Sequence, residues 1–212
     1  MRSLAQIKKD PRGYLLNRLD YLWIILKMRL NAITVRLVLA ARGIECGKGC
    51  AFYGWPHFRR HFLSKIEIGN DCRFRSDYLS NLVGINRKCL VSTMNEGARI
   101  KIGNNCGFSG TVIGCGESIT IGDNVLCGGN TFITDFDWHP IKRQKNSNAE
   151  VIATPVVIED NVWLGLNVVV LKGVTIGRNS VIGANSLVVR SIPENVVAAG
   201  NPCRVIRKLN EE

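Results

Sequence analysis

The chain has 212 residues, 46% of them apolar and 21 of them glycine, enough for one buried core with an appendage in a fold with many turns. Its formal net charge of +11 is uneven, since residues 1–43 carry nine Lys/Arg against Asp10 and Asp20. The basic residues are not threaded through a recognition helix, which excludes a nucleic-acid module, and eight cysteines without a CxxC pair argue against a zinc site.

Cysteine used this way fits a reducing cytoplasm. The start, MRSLAQIKKDPRG, has no hydrophobic core of a secretory signal, so none is expected. The pattern predicts a helix over 13–42. Leu15, Leu19, Leu22, Trp23, Leu26, Leu30, Ile33 and Leu37 form a broad apolar stripe, with Arg18, Lys27, Arg29, Arg36 and Arg42 elsewhere. Asp20, Lys27, Arg29 and Arg36 interrupt it, so no uncharged run approaches a membrane span. Two readings stay open for this helix. It packs against the body or a neighbouring subunit, or it lies peripherally on a membrane with its cations on anionic headgroups. Residues 44–65, with Phe52, Tyr53, Trp55, Phe58 and Phe62, start the repeated region irregularly and read as a cap over an open core end or as an aromatic patch facing a membrane or acceptor.

One design then recurs: Ile66-Glu-Ile68-Gly69-Asn70-Asp71-Cys72, Ile100-Lys-Ile102-Gly103-Asn104-Asn105-Cys106 and Ile119-Thr-Ile121-Gly122-Asp123-Asn124-Val125. Between the first two, residues 75–98 lose the pattern, which predicts a distorted coil. Cys72, Cys106 and Cys127 fall on inward positions, where a thiol behaves as a small hydrophobe. Residues 134–155 (TDFDWHPIKRQKNSNAEVIATP) hold no repeat and read as a loop projecting from one edge.

The period is clearest from Val156 to Pro193. Ile158, Leu164, Val170, Ile176, Ile182 and Val188 recur every sixth residue, and Val162, Val168, Val174, Ser180, Ser186 and Ile192 follow each by four. Neither helix nor strand periodicity gives six, so the stretch reads as a solenoid of short strands, three to a triangular coil. Asp160-Asn161, Leu166-Asn167, Lys172-Gly173, Arg178-Asn179 and Ala184-Asn185 supply corners, where Asn or Gly accepts a positive φ. Gly114-Cys-Gly116-Glu-Ser is not followed by GK[ST] and precedes no helix, so it is not a phosphate-cradling loop.

With Val162-Trp163-Leu164-Gly165, Gly173-Val174-Thr175-Ile176-Gly177, Val181-Ile182-Gly183-Ala184 and AAGNPCRVIR over 198–207, this region resembles the hexapeptide-repeat acyltransferases. Among them it is similar to the galactoside and maltose O-acetyltransferases and to those of surface-polysaccharide pathways. The resemblance covers residues 66–209. It implies an all-β fold, a left-handed parallel β-helix over 44–209 carrying the loop 134–155, preceded by an N-terminal amphipathic α-helix in residues 1–43. That hand is an exception to the usual crossover rule.

The resemblance also implies an acetyl-CoA-dependent O-acetyltransferase acting on a sugar hydroxyl in the cytoplasm, without a metal. It implies a homotrimer with each site between adjacent coils, and the loop 134–155 reaching over a neighbour's groove. His139 falls where the family has its catalytic His-Pro, and an imidazole with a pKa near neutrality suits removal of a hydroxyl proton. Asp135 or Asp137 would orient it or hold a sugar hydroxyl, or merely cap a turn. The acceptor-contacting Asn and Asp of the galactoside enzymes fall on Ser109 and Glu117 here, so the acceptor contacts differ. A pantetheine groove would run along Trp163, Gly165, Leu166, Gly183 and Ala184, with Arg190, Arg204 and Arg207 near the adenosine phosphates. Three rivals exist. A serine O-acetyltransferase needs a large helical domain that 43 residues do not hold. A γ-type carbonic anhydrase needs three ligating histidines, whereas His57 and His61 lie far from His139 in sequence. A non-catalytic β-helix scaffold would leave His139 and the C-terminal arginines without a role.

Overall fold

The computed structural model describes residues 4–140 and 151–209. Each passage of the chain around the coil lays one short strand in each of three parallel sheets. The first sheet contains Glu45–Cys46, Lys65–Ile68, Arg99–Ile102, Ser118–Ile121, Val156–Ile158 and Thr175–Ile176. The second contains Ala51–Tyr53, Arg73–Arg75, Gly107–Ser109, Leu126–Gly129, Trp163–Leu164, Val181–Ile182 and Val196–Ala199, and the third His57–Arg59, Leu90–Thr93, Val112–Cys115, Phe132–Thr134, Val169–Val170 and Leu187–Val188. The three corners of this triangular solenoid therefore lie between first and second, second and third, and third and first sheets.

The six-residue period is the inside of the triangle. Ile158, Leu164, Val170, Ile176, Ile182 and Val188 are fully buried, and the second inward set from Val162 to Ile192 is buried with them. Ser180 and Ser186 fit the narrow corner because their hydroxyls donate to the carbonyls of Pro193 (2.8 Å) and Gly183 (2.7 Å). Corner Asn residues adopt the left-handed conformation, as at Asn161 (φ 59°), Asn167 (φ 55°), Asn179 (φ 58°) and Asn185 (φ 58°). Between the first and second sheets their side chains form a ladder, Asn105 to Asn124 (2.9 Å), Asn124 to Asn161 (3.1 Å), Asn161 to Asn179 (3.0 Å) and Asn179 to Asn195 (2.8 Å). The same residue that accepts the φ thus also ties one coil to the next.

The aromatic segment 44–65 starts the solenoid, as expected, but as its first full coil and not as a cap. Phe52 and Phe58 fill the interior, and Phe52, Phe74 and Phe108 stack down it at centroid spacings of 5.6 and 4.9 Å. The cap is helical. Helix α1 (Leu4–Lys9) leads into α2 (Pro11–Ala41), which starts at Pro11 with the Asp10 carboxylate accepting the Gly13 N–H at 2.8 Å. Val35 and Leu39 of α2 are buried on the open end of the coil, Ala32 packs beside them, and Arg36 donates to the Gly47 carbonyl at 2.9 Å. Of the two readings left open for the N-terminal helix, packing against the body holds for one of its faces. One apolar face docks on the coil, while the stripe from Leu15 to Leu37 lies on the opposite face and is exposed. No helix among the described residues is long and apolar enough to cross a membrane. At the other end the chain doubles back, and Arg204–Lys208 pairs antiparallel with Val196–Ala199.

Candidate active site

The two interruptions of the repeat leave from different corners. The one holding His139 starts where the third sheet turns to the first. Thr134 ends its strand opposite Gly114, and Asp135 follows, fully buried. Its carboxylate accepts three backbone N–H groups, from Gly116 (2.6 Å), Glu117 (2.8 Å) and Ser118 (2.6 Å). A buried carboxylate held this way is satisfied without a cation. Phe136 and Trp138 then pack at 4.7 Å between centroids, and Trp138 lies so close over Gly114 that a Cβ there would meet the indole at 2.7 Å. The returning strand is fixed too, by a Phe136–Ala153 bridge and a 2.7 Å bond from Thr154 N–H to the Asp135 carbonyl. His139 emerges from this pinned base as an exposed residue, and Glu117 lies on the same corner between the third and first sheets. The part of the loop that would reach over a neighbour, residues 141–150, lies outside the described residues.

Asp137, expected to orient the imidazole, hold a sugar hydroxyl or cap a turn, forms an ion pair with Lys172 from the corner one coil further on. The Cys115 thiol is pushed up by burial and then by the adjoining Asp135 carboxylate, which disfavours its thiolate. Among the described residues no three His, Cys, Asp or Glu side chains cluster as a metal site.

Ser109 lies on a different corner, where the second sheet turns to the third. It is buried beneath the excursion of residues 76–89, whose Asn81 carboxamide donates to its hydroxyl at 2.9 Å. Asn130, with φ 59° and almost no exposure, anchors the same excursion by accepting from Asn86 N–H (3.0 Å) and donating to the Gly84 carbonyl (3.2 Å). Leu166 occupies this corner two coils beyond Ser109, and Gly183 and Ala184 three. Gly165 and Gly183 are small because the next coil requires it, since a Cβ would meet Ala184 N at 2.7 Å and Ala199 Cβ at 2.8 Å respectively.

The second sheet carries an outward row of apolar residues. Register aligns Leu126, Trp163, Val181 and Val197 in one outward row, and Val197 pairs with Arg207 on the antiparallel strand. Leu126 and Trp163 are exposed, and Arg204 and Arg207 are exposed beyond them. An apolar strip that ends in cations suits a pantetheine arm followed by phosphates. Arg190 stands apart from this row, on the corner of His139. One chain therefore holds the candidate base with Glu117 on one corner, and Ser109 with the candidate groove on another. Sequence reasoning missed Asn81 and Lys172, which carry no motif. It noticed Asp135 without its nest of N–H groups, although an Asp immediately after the inward run to Ile133 is a signal that the repeat stops there.

A model of the hexapeptide repeat of succinyl-transferase matches residues 155–190. A galactoside O-acetyltransferase of Lactococcus lactis subsp. lactis is 37% identical over 158 residues, 74% of this chain and 70% of that protein. The galactoside O-acetyltransferase of Escherichia coli K12 is 47% identical over 117 residues, 54% of this chain, so that the chain spans only 57% of that relative's length. A hexapeptide-repeat acetyltransferase of Vibrio cholerae O1 biovar eltor, solved in complex with acetyl coenzyme A, superimposes with a TM-score of 0.50 at 28% identity, covering 80% of this chain and 74% of that one. By this identity over more than two thirds of a relative, and by its three-sided coil, the chain belongs to the hexapeptide-repeat acyltransferases.

Proposed function

We propose that the protein transfers an acetyl group from acetyl-CoA to a sugar hydroxyl, with His139 as general base. The observation that carries this reading is the anchored segment from Asp135 to Trp138. It holds an exposed histidine at a fixed point on one corner while an apolar row ending in arginines runs along another sheet. Because those two parts lie on different faces of one coil, the same reading takes the coil as left-handed and the assembly as a homotrimer. His139 of one copy then faces the groove of the next.

In that arrangement the imidazole accepts the proton of the acceptor hydroxyl as its oxygen attacks the acyl carbon. Glu117 accepts a hydrogen bond from another hydroxyl of the sugar, and the Ser109–Asn81 pair offers a polar contact to the acceptor. A backbone N–H stabilises the carbonyl oxygen as negative charge develops. The proton then passes from the imidazolium to the departing thiolate. Acetyl-CoA supplies the activated acyl group as a thioester; Trp163, Leu166 and Ala184, with backbone at Gly165 and Gly183, flank its arm, and Arg204 and Arg207 meet its phosphates. Arg190, on the corner of His139, reaches those phosphates only from a neighbouring copy. We further infer that the enzyme works in the cytoplasm on a glycan of a surface-polysaccharide pathway.

Calorimetry with acetyl-CoA on the wild type and His139→Ala tests the core of this reading. Binding in both, with acetyl transfer to galactosides or thioester hydrolysis lost in the variant, is the expected result. Absence of binding to the wild type would overturn it in favour of a structural β-helix.

A further inference from the structure

Acetyl transfer gives no task to the outward face of α2. Leu15, Leu19, Leu22, Leu26, Leu30, Ile33 and Leu37 are all exposed, and spacings of three and four keep them on one side of the helix. The stripe is roughly 33 Å long at about 1.5 Å per residue. The side that docks on the coil, with Val35 and Leu39, is the opposite one, so docking leaves the stripe bare. A contiguous apolar surface of this length normally has a partner.

Charge decides which partner. Arg18 and Arg29 line one flank of the stripe and Lys27 the other, Arg12 stands near its start, and Lys8 and Lys9 precede it in α1. Asp20 is the acidic residue within α2, and Asp10 is engaged in capping it. A second copy of this helix laid on the first would bring cation against cation. An anionic surface complements every one of them. Two flanking cations lie over aromatic rings, Lys27 Nζ 5.1 Å from the Trp23 centroid and Arg18 5.7 Å from that of Tyr21, an arrangement suited to the headgroup level. Before Ile24 the helix extends clear of the coil, with Leu16 and Tyr21 exposed as well, so that half can sink without obstruction.

We propose that α2 is a membrane-surface anchor, lying in the headgroup region of an anionic bilayer with the Leu15–Leu37 stripe toward the acyl chains. The middle of α2 adjoins the excursion over Ser109, since Ile24 and Lys27 line one shallow cleft with Asp77 and Ser80. The excursion itself presents Tyr78 and Leu82, the latter 92% exposed, to the outside. On the acetyl-transfer reading, the anchor holds the acceptor corner at the membrane and the acceptor is a glycan carried on a lipid.

Flotation of the full chain with phosphatidylcholine vesicles, with and without phosphatidylglycerol, tests the anchor. The expected result is flotation only with the anionic vesicles, weakened by 0.5 M salt and at least tenfold weaker for Leu19→Glu/Leu26→Glu/Ile33→Glu and for Arg18→Glu/Arg29→Glu. All these positions are exposed, so melting temperature and acetyl-CoA binding should match the wild type. Equal flotation with neutral vesicles, none with anionic ones, or full flotation of the triple variant would overturn the proposal. A smaller assembly of the triple variant in light scattering, with no flotation of the wild type, would assign the stripe to a contact between copies. Acetyl-CoA binding is read separately, so its failure would remove the enzymatic reading and leave the vesicle result standing.

Discussion

The C-terminal stretch 156–192 and the interrupted stretch 90–155 are built on the same coil, yet they differ in what they bury. In the first, the buried polar side chains are Ser180 and Ser186, each bonded to a nearby carbonyl. Among the described residues of the second they are Ser92, Thr93, Ser109, Thr111, Asn130, Thr131, Thr134 and Asp135. These groups cluster where the excursion 76–89 and the His139 segment leave the coil. A regular repeat satisfies its own backbone, coil to coil. A segment that leaves the repeat has to be held by side chains, and a buried polar group is tolerable only when it is bonded. The polar interior thus marks the part of the solenoid from which these two segments depart.

The sharpest separation of the two regions is expected from His139→Ala. Loss of a general base lowers transfer by about 10²–10⁴-fold. The unfolding midpoint in urea should not move, because the residue is exposed. Leu164→Ala should do the reverse. It empties a fully buried site in the regular stretch, costs about 2–5 kcal/mol in urea unfolding, and leaves transfer per folded molecule near the wild-type value.

Asp135→Ala falls between them and joins the two effects. Three N–H groups lose their acceptor, at a stability cost of about 3 kcal/mol, and the segment carrying His139 loses its anchor. Transfer should drop although no reacting atom touches Asp135, with acetyl-CoA affinity unchanged in calorimetry. Wild-type transfer by Asp135→Ala would mean that the nest holds only the Gly116–Ser118 turn.

The division also explains what the sequence made legible. A six-residue repeat exposes its own core, because each inward residue meets its equivalent one coil on. Ile158 to Val188 and the Asn corners were therefore readable as a pattern. Segment 44–65 misled because aromatic density looks the same in a first coil as in a lid, and a helix that is apolar on two opposite faces gives no hint of which face docks. At the candidate site, His139 is singled out by the break in the repeat together with the resemblance to the family's His-Pro, and the base role proposed for it rests on both. The Asp137–Lys172 pair spans 35 residues and one coil, and Asn81 reaches Ser109 across 28, so neither leaves a local trace. That Ser109 and His139 stand on different corners follows only from counting strands through an irregular excursion.

The regular stretch itself contains two kinds of surface group, and they should respond unequally. Asn161 sits at φ 59° and bonds to both Asn124 and Asn179 in the ladder. Asn161→Ala should cost about 1–2 kcal/mol, because a Cβ without a polar group is disfavoured in the left-handed region and two hydrogen bonds go with it. Asn161→Gly relieves the conformational part and should recover a portion of that loss. Arg178 is one residue before the next rung of the ladder and pairs with Glu194 at 3.1 Å, but both side chains are more than half exposed. Water and salt screen such a pair, so Arg178→Ala should change urea stability by less than about 1 kcal/mol. If Arg178→Ala proved the more damaging of the two, corner conformation would not be what holds these coils in register, and the ladder would be a consequence of the stacked strands.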